Sequence, residues 1–190
     1  PPVLIDVPAS IATARLDLRA PRAGDGAMVH AAVAESLPAL RVFLAAVPWV
    51  AGEQSVQASE VFCRTAQASH LARTDFPFLM FHRSTGELVG CVGLHRPVWV
   101  TPRLEVGYWC RTSRAGNGYV AEGVGAMVAL AFQTFKAVRL ELITDEANLA
   151  SRRVAERCGF ALEGVLVNER RGPDGRLRNT CMYARTQGQG

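Results

Sequence analysis

Four glycines fall within ten residues, Gly116 to Gly125, of the stretch RTSRAGNGYVAEGVGAMVALAF, and they open a long apolar segment. The portion GNGYVA, residues 116–121, fits the G-x-G-x-x-G/A pattern of a dinucleotide-binding turn. Two other interpretations also fit: another kind of phosphate-holding turn, and a flexible loop that begins a helix. The choice among them limits what the rest of the chain can fold into.

The surroundings of this turn argue against both common nucleotide motifs. A dinucleotide fold puts its first glycine at the very end of a strand in a compact βαβ unit, with an acidic residue about 20 positions on. Here RTSRA separates the preceding strand from Gly116, and the nearest acid at a strand end, Asp145, comes late. A P-loop fails because no Lys-Ser/Thr follows the glycines. Two interpretations remain: a turn whose free N–H groups and helix dipole hold an anion, and a plain helix start.

Hydrophobic periodicity predicts a short strand, then helices, three strands, a helix, a strand, a helix and two strands. The predicted strands are Leu16–Arg19, Phe76–His82, Leu88–His95, RLEVGYWCR, VRLELIT, Ala161–Arg171 and a last one around Thr180–Arg185. The predicted helices run from Ala27 up to Pro48, over Glu53–Ala72, over Tyr119–Phe135, and from a cap at Asn148 to Cys158. This order is typical of an α/β domain with a mixed sheet.

Composition narrows the class of protein. With 190 residues, 49% of them hydrophobic, the chain suits one domain with a full core. No apolar run approaches the roughly 20 residues of a membrane span, and no secretory signal is visible, so no membrane partner is expected. The net charge of +4 predicts no direct nucleic-acid binding. Five scattered cysteines without zinc-ligand spacing indicate reduced thiols in a cytoplasmic protein.

Three segments together resemble the GNAT superfamily of acyl-CoA N-acyltransferases: LEVGYWCRTSRAGNGYVAEGV, ELITDEANLASRRVAERCGFALEGVL and RRGPDGRLRNTCMYA. Within the superfamily they look most like the RimJ/RimL type, which acetylates the N-termini of ribosomal proteins. The resemblance implies a single GNAT-type α/β (α+β) domain over residues 1–190. Its central sheet would be mixed, mostly antiparallel and of about six to seven strands flanked by helices, with flexible tails at 1–12 and 187–190.

The resemblance implies acetyl-CoA as the acyl donor, without a metal. The glycine turn would hold the pyrophosphate through backbone N–H groups, and the end of the preceding strand would pair with the pantetheine arm and polarise the thioester carbonyl. Asn148 would hydrogen-bond the cofactor near its sulfur, besides capping a helix. The cofactor-binding residues expected on this basis are Trp109, Cys110, Arg111, Arg114, Gly116, Asn117, Gly118, Tyr119, Val120, Ala121, Asn148 and Ser151.

Two positions depart from the family pattern. Ala115 stands where Gln or Arg is usual, so a side-chain contact with phosphate would come from Arg114 or Asn117. Ala155 stands where many members carry a tyrosine that protonates the departing thiolate. Ser151 matches the serine that the RimL type is thought to use instead, which makes it a predicted catalytic residue. A serine in the first turn of a helix also serves simply by bonding the backbone.

Transfer to an amine needs a path for the ammonium proton and donors for the oxyanion. Glu105 is the preferred base because it shares a strand face with Gly107 and Trp109, where the family often places a carboxylate that acts through water. A surface-facing strand residue is the alternative interpretation of Glu105. His95, at the end of the neighbouring strand, is the second candidate, and a structural histidine is its alternative.

The acceptor is expected to be a primary amine, either a protein N-terminus or a small molecule. Trp49, His95 and Tyr183 are the predicted substrate-binding residues, with the core as the alternative place for Tyr183. The arginines of NERRGPDGRLRNT suit either an acidic acceptor or a solvated face. An acyl-CoA-binding sensor without catalysis and a transferase of another acyl group, such as succinyl, are the alternative functions. A homodimer is left open.

Overall fold

A computed structural model describes residues 1–188, and within them the chain forms one sheet of eight strands. The strands are β1 (Ser10–Ala12), β2 (Leu16–Arg19), β3 (Phe76–His82), β4 (Leu88–Val98), β5 (Arg103–Cys110), β6 (Arg139–Asp145), β7 (Ala161–Arg171) and β8 (Leu177–Thr186). Their spatial order is β1-β2-β3-β4-β5-β6-β8-β7. Neighbours are antiparallel except β5 and β6, which run parallel. The mixed, mostly antiparallel sheet is confirmed.

The sheet has eight strands, slightly more than the expected six to seven, and the strand that the sequence did not predict is the edge strand β1. Its three residues pair with Asp17–Arg19 of β2 through the backbone and carry too short a hydrophobic pattern to be recognised. β1 lies within the segment expected to be a flexible tail, and Ile5 and Val7 of that segment pack against the core. Of the expected tail at 187–190, residues 189 and 190 lie outside the described residues.

Five α-helices flank the sheet in the described part of the chain. They are α1 (Gly26–Leu44), α2 (Pro48–Ala51), α3 (Val56–Ala72), α4 (Tyr119–Ala129) and α5 (Leu149–Arg157). The predicted helix over Tyr119–Phe135 is α-helical only as far as Ala129, and Leu130–Thr134 continue it as a π-helical turn. A 3-10 turn at Thr112–Arg114 joins β5 to the glycine stretch.

The sheet separates two hydrophobic cores, and the alternation of β5 shows why. Leu104 and Val106 face the core that α4 and α5 cover, where the Phe76 and Phe135 rings lie 4.6 Å apart. Trp109 points to the other face and packs against side chains of α1 and α3. Because successive strand residues point to opposite faces, β5 contributes to both cores. Each large side chain buried in this way stabilises the fold by about 1.5–3 kcal/mol.

Helix α1 qualifies the expectation that no segment approaches a membrane span. In residues 1–188 it is the one helix that is long and apolar enough, by length and composition, to cross a membrane. In this structure its residues Val29, Ala32 and Val33 pack with Cys63 of α3 and Trp109 of β5. The apolar side of α1 therefore forms the second core.

Two glycines inside α4 have different structural roles. A Cβ at Gly123 would lie 2.5 Å from the sulfur of Met80 on β3 and 3.4 Å from a methyl group of Val92 on β4. Gly123 therefore permits the close approach of α4 to the sheet. A Cβ at Gly125 would meet no atom within 4 Å, so packing does not require a glycine there.

We expect Gly123→Ala and Gly125→Ala to change stability in opposite directions. Alanine is favoured over glycine inside a helix by about 1 kcal/mol, so Gly125→Ala should raise the free energy of unfolding by about that amount. At Gly123 the clash with the buried Met80 side chain should outweigh this gain and cost about 1–3 kcal/mol. Urea unfolding of both variants measures the difference. Equal effects at the two positions would contradict the packing argument.

Candidate active site

The sheet opens between β5 and β6. Their parallel register covers three residue pairs, Arg103–Glu105 with Arg139–Glu141. Over the rest of their length within the described residues, β5 pairs with β4 as far as Cys110 and β6 pairs with β8 as far as Asp145. The backbone of β5 from Val106 to Cys110 therefore faces a wedge that is open toward the glycine turn.

The glycine turn at the mouth of this wedge has the backbone geometry of an anion site. Gly116 and Gly118 have φ of 79° and 77°, a region that L-residues other than glycine rarely adopt. Gly118 is the N-cap of α4, and the first i→i−4 hydrogen bond runs from Glu122 N to Gly118 O. The N–H groups of residues 119–121 thus precede the helical ladder, where they and the helix dipole attract an anion.

The polar side chains of the turn are engaged within the protein. Asn117 donates from Nδ2 to the carbonyl oxygens of Arg114 and Ala115, at 3.1 Å each. The Arg114 guanidinium binds the carboxylate of Glu87. The Asn117 amide N–H groups and the Nη2 of Arg114 are therefore engaged within the protein in this conformation. The backbone N–H groups are the donors that the turn presents.

Arg111 anchors the turn to α1 through Glu35. Its Nε donates to a Glu35 carboxylate oxygen at 2.6 Å, and the Ser113 backbone N–H donates to the other oxygen at 2.9 Å. Hydrogen bonds from the Ser113 side chain and backbone and from Arg111 lower the pKa of Glu35 to about 2. The side chain of Arg111 is thus a structural link between α1 and the turn.

We expect acid to weaken this link, and Glu35→Gln to remove part of the acid sensitivity of folding. The pKa of Glu35 is lower in the folded state, so its contribution to stability is present above the unfolded-state value and is lost as pH falls toward the folded-state value. Glu35→Gln should therefore lose less unfolding free energy between about pH 5 and about pH 3 than the wild type. Urea unfolding at both pH values measures this. Glu53→Gln, at an exposed glutamate before α3, is the control, and an identical pH dependence of Glu35→Gln and wild type would contradict the assignment.

Arg15, which the sequence patterns did not single out, supports the turn from the outside. Its Nε donates to Glu122 at 2.7 Å, its Nη1 donates to the Asn117 carbonyl at 2.9 Å, and its guanidinium lies 4.7 Å from the centre of the Tyr119 ring. Burial raises the pKa of Glu122, but hydrogen bonds from Thr13 and Arg15 outweigh it and lower that pKa. Arg15 therefore compensates the negative charge in the first turn of α4.

A phenol and a hydroxyl meet on the α5 side of the wedge. Asn148 caps α5 by accepting from the Ser151 N–H at 3.1 Å, so its capping role is confirmed. The Ser151 hydroxyl lies 2.7 Å from the hydroxyl of Tyr108 on β5. Burial raises the pKa of Tyr108 to about 12 despite the bond to Ser151. Sequence reasoning placed Tyr108 on the apolar face and missed this partner of Ser151.

The opposite side of β5 carries the other candidates for catalysis and acceptor binding. Glu105 lies on this face and forms an ion pair with Arg96. The rings of Trp49 on α2 and Trp109 on β5 lie 6.4 Å apart, with Trp49 43% exposed. His95 is the cross-strand partner of Glu105. The structure therefore brings four predicted site residues to one face next to the wedge: Trp49, His95, Glu105 and Trp109.

Two further predicted site residues are mostly buried. Tyr183 is 1% exposed, and its hydroxyl bonds Arg152 and Glu156 of α5, so the expectation that it lines the acceptor groove is corrected: it fills the core. Cys110 is half-buried at the end of β5, where burial raises the pKa of its thiol to about 11. The backbone of Cys110 borders the wedge because β5 pairs with β6 only as far as Glu105.

A groove of about 650 Å³ continues from the turn between α4 and α5. It is lined by residues of α4, of the π-helical turn, of the C-terminal end of α5 with the two residues after it, and of β8: Ala121, Gly125, Val128, Ala129, Phe132, Gln133, Arg157, Cys158, Gly159 and Arg185. The missing side chain of Gly125 leaves space in this groove. The turn and the groove share α4, and the turn follows β5, which borders the wedge; together the three suit a long ligand with an anionic centre.

A family model described as an acetyltransferase (GNAT) domain matches residues 15–161. Since the match covers more than half of the chain, the chain belongs to the GNAT acetyltransferase family. The resemblance to the GNAT superfamily seen in the sequence is thereby confirmed.

Particular relatives agree with this membership. The chain is 29% identical over 116 residues to the ribosomal-protein-serine acetyltransferase of Escherichia coli (strain K12), covering 60% of this chain and 64% of that protein. It spans less than two thirds of the length of the curated relatives it matches.

Solved structures show the same fold. A RimL ribosomal L7/L12 α-N-protein acetyltransferase in complex with coenzyme A has a TM-score of 0.84 at 22% identity, covering 95% of this chain and 99% of that one. The microcin C7 self-immunity acetyltransferase MccE, in complex with acetyl-CoA and AMP, has a TM-score of 0.85 at 17% identity, covering 95% and 98%.

Proposed function

We propose that the protein is an acetyl-CoA-dependent N-acetyltransferase that acts on a primary amine in the cytoplasm. The observation that carries the proposal is the continuity of three features along β5 and α4: the open wedge, the glycine turn with its free N–H groups, and the Tyr108–Ser151 pair. The turn suits a pyrophosphate, and the wedge offers the β5 backbone to an extended pantetheine arm. The relatives crystallised with coenzyme A and acetyl-CoA support this choice of ligand.

The residues divide the chemistry between the two sides of β5. Acetyl-CoA supplies the thioester carbonyl that the amine attacks. The Arg111 N–H donates to the Val89 carbonyl of β4 at 2.9 Å, so the Cys110 N–H, one residue earlier, points to the wedge and stabilises the negative charge that develops on the carbonyl oxygen. Ser151, backed by Tyr108, gives a proton to the leaving sulfur. The proton of the ammonium departs on the opposite face, where Glu105 and His95 lie.

A protein α-amino group is the proposed acceptor class. Among the relatives, one is named as acting on a ribosomal-protein serine and one on the α-amino group of ribosomal L7/L12. We assign the acceptor to the face of β5 that carries Trp109, Glu105 and His95. There Trp49, at 43% exposed, and the His95 side chain, at 32% exposed, border solvent beside the part that α1 and α3 cover, and this edge suits the end of a peptide. On the β7–β8 hairpin, Arg170 donates to Thr180 and Arg171 to the Gly175 carbonyl, so both are engaged within the hairpin.

A CoA-release assay tests the proposed function. The purified chain is incubated with acetyl-CoA or succinyl-CoA and a panel of peptides with different N-terminal residues, together with small amines. We expect release with acetyl-CoA and an N-terminal peptide, and mass spectrometry should locate the acetyl group on the α-nitrogen. Preference for succinyl-CoA would change the acyl group proposed. Tight binding of acetyl-CoA without turnover on any amine would favour a sensor instead.

A further inference from the structure

We propose that His95, held by Asp75, is the catalytic group that accepts the proton lost by the attacking amine, and that Glu105 is not that group. This inference rests on the proposed function. The N–H bond of the ammonium breaks, an Nε2–H bond forms on the imidazole, and the proton then passes to solvent. The nitrogen loses two protons in all. The first passes through Nε2 to solvent before attack, and the second, lost as the tetrahedral intermediate collapses, balances the proton that Ser151 gives to the leaving sulfur on the other side of β5, so one proton is released for each amide formed.

The orientation of the imidazole is set by a carboxylate from another element. Asp75 lies immediately before β3, and its Oδ1 is 2.7 Å from Nδ1 of His95. When Nδ1 carries the hydrogen and donates to this carboxylate, Nε2 is left with a free lone pair. The Asp75 carboxylate also stabilises the imidazolium that proton transfer produces. Asp75 is therefore a positioning residue for His95.

Two glycines bring Nε2 against the backbone of the wedge. Gly93 on β4 and Gly107 on β5 are cross-strand partners, and the His95 ring lies over both. A Cβ at Gly93 would be 2.8 Å from Nε2, and a Cβ at Gly107 would be 2.9 Å from Cδ2 and 3.1 Å from Nε2. Side chains at either position would displace the ring. Nε2 therefore lies beside Gly107, two residues before Trp109, where the β5 backbone meets the wedge.

The carboxylate of Glu105 is held in an ion pair, whereas the Nε2 atom of His95 keeps its lone pair when Nδ1 bonds Asp75. Glu105 is paired with the guanidinium of Arg96, which carries its charge at every pH of interest. That pairing occupies Oε2, one of the two oxygens that could accept a proton. Within the described residues, the charged groups around His95 are Asp75 before β3, Glu105 on β5 and Arg96 on β4.

The pair also has an exit for the proton. The side chains of His95 and Asp75 are 32% and 38% exposed, whereas Trp109 beside them is 9% exposed. The ring therefore touches both the covered face of β5 and solvent. A proton accepted at Nε2 can be released without a conformational change of the sheet.

Substitution of His95 gives the first test. We expect His95→Ala to lower kcat/KM for the peptide by about 10²–10³-fold, the range typical of a lost general base, while calorimetry shows unchanged binding of acetyl-CoA. Added imidazole should restore part of the activity. Glu105→Gln, the rival variant, should lower kcat/KM by less than about tenfold and leave the pH profile in place. A large loss in Glu105→Gln with full activity in His95→Ala would overturn the inference.

Asp75→Asn separates positioning from mere support of the fold. Asp75→Asn removes the carboxylate that holds Nδ1, so kcat should fall, but less than in His95→Ala, while acetyl-CoA binding and the free energy of unfolding stay near the wild-type values. Asp75→Glu keeps a carboxylate and should restore part of kcat. A loss of stability that accounts for the lost activity, or no rescue by Asp75→Glu, would count against the inference.

A measurement without turnover keeps the inference testable if no acceptor is found. In ¹⁵N spectra of the imidazoles of the full chain, the His95 resonance, assigned by its loss in His95→Asn, should show hydrogen on Nδ1. In Asp75→Asn this preference for hydrogen on Nδ1 should weaken. Hydrogen on Nε2 in the wild type, or an unchanged tautomer preference in Asp75→Asn, would overturn the inference. Failure of acetyl transfer by the wild type, with these spectra as expected, would instead count against the proposed function.

Discussion

Replacement of Gly116 by alanine is expected to raise the KM for acetyl-CoA about tenfold while the fold is kept. Gly116 has φ of 79°, and a left-handed conformation costs an L-residue about 1–2 kcal/mol. Since 1.4 kcal/mol corresponds to about tenfold in an equilibrium constant, that strain converts to roughly 5–30-fold when binding requires this conformation. A Cβ at Gly116 meets no protein atom within 4 Å and points into open space, where a bound anion would lie.

Gly24 offers a matched control for this prediction. It has φ of 95°, its Cβ would also meet no atom within 4 Å, and it lies in the turn before α1, where its N–H donates to Glu60. Gly24→Ala should therefore destabilise the chain to a similar degree and leave the KM for acetyl-CoA near the wild-type value. Steady-state kinetics and urea unfolding of both variants measure the comparison. Equal KM values in Gly116→Ala and wild type would contradict the role of the turn in holding the cofactor.

Features set by local sequence were predictable from the chain alone. The β2, β3 and β7 boundaries coincide with the predicted ones because hydrophobic alternation and flanking turn residues define them. Asn148 caps α5, and Gly159 follows it with φ of 76°, because capping and left-handed turns depend on residue type over a few positions. The glycine turn was recognised on the same basis, and its rejection as a dinucleotide site depended on the spacing between strand and glycine and on the late position of the acidic residue Asp145.

Contacts between residues that lie far apart in the sequence could not be predicted from local patterns. Arg15 reaches Glu122, Tyr108 reaches Ser151, and Asp75 reaches His95, across 107, 43 and 20 positions of sequence. Nothing in the alternation of β5 distinguishes a tyrosine that fills the core from one that also bonds the hydroxyl of Ser151, the predicted catalytic serine.

The burial of a side chain could not be predicted from the sequence either when two environments suited that side chain. Tyr183 was expected at the groove and lies in the core, because β8 turns it toward α5. The π-helical turn after Ala129 has no marker in the apolar periodicity of this segment. Local patterns thus predicted where the backbone site would be, and tertiary contacts decided which side chains complete it.

Removal of the Ser151 hydroxyl is expected to lower kcat by about 10²-fold, at the lower end of the range for a lost general acid, with little change in acetyl-CoA binding. Tyr108→Phe should lower kcat less, because the phenol acts through Ser151 at 2.7 Å and does not itself meet the sulfur. The double variant should be no slower than Ser151→Ala, since the two hydroxyls work as one unit. Burial raises the pKa of Tyr108 to about 12, so the phenol stays protonated at neutral and mildly basic pH and sets no limb of the profile there.

Changing the leaving thiol of the acyl donor distinguishes a catalytic role of Ser151 from a purely structural one. A thioester of an acidic aryl thiol needs less protonation of its sulfur, so the loss in Ser151→Ala should be much smaller with such a donor than with acetyl-CoA. Tyr183→Phe is the matched control, because Tyr183 is also a buried phenol directed at α5, but it bonds Arg152 and Glu156. If Ser151→Ala loses the same factor with both donors, or if the Tyr108 and Ser151 effects multiply, protonation of the thiolate does not pass through this pair and must come from solvent in the wedge.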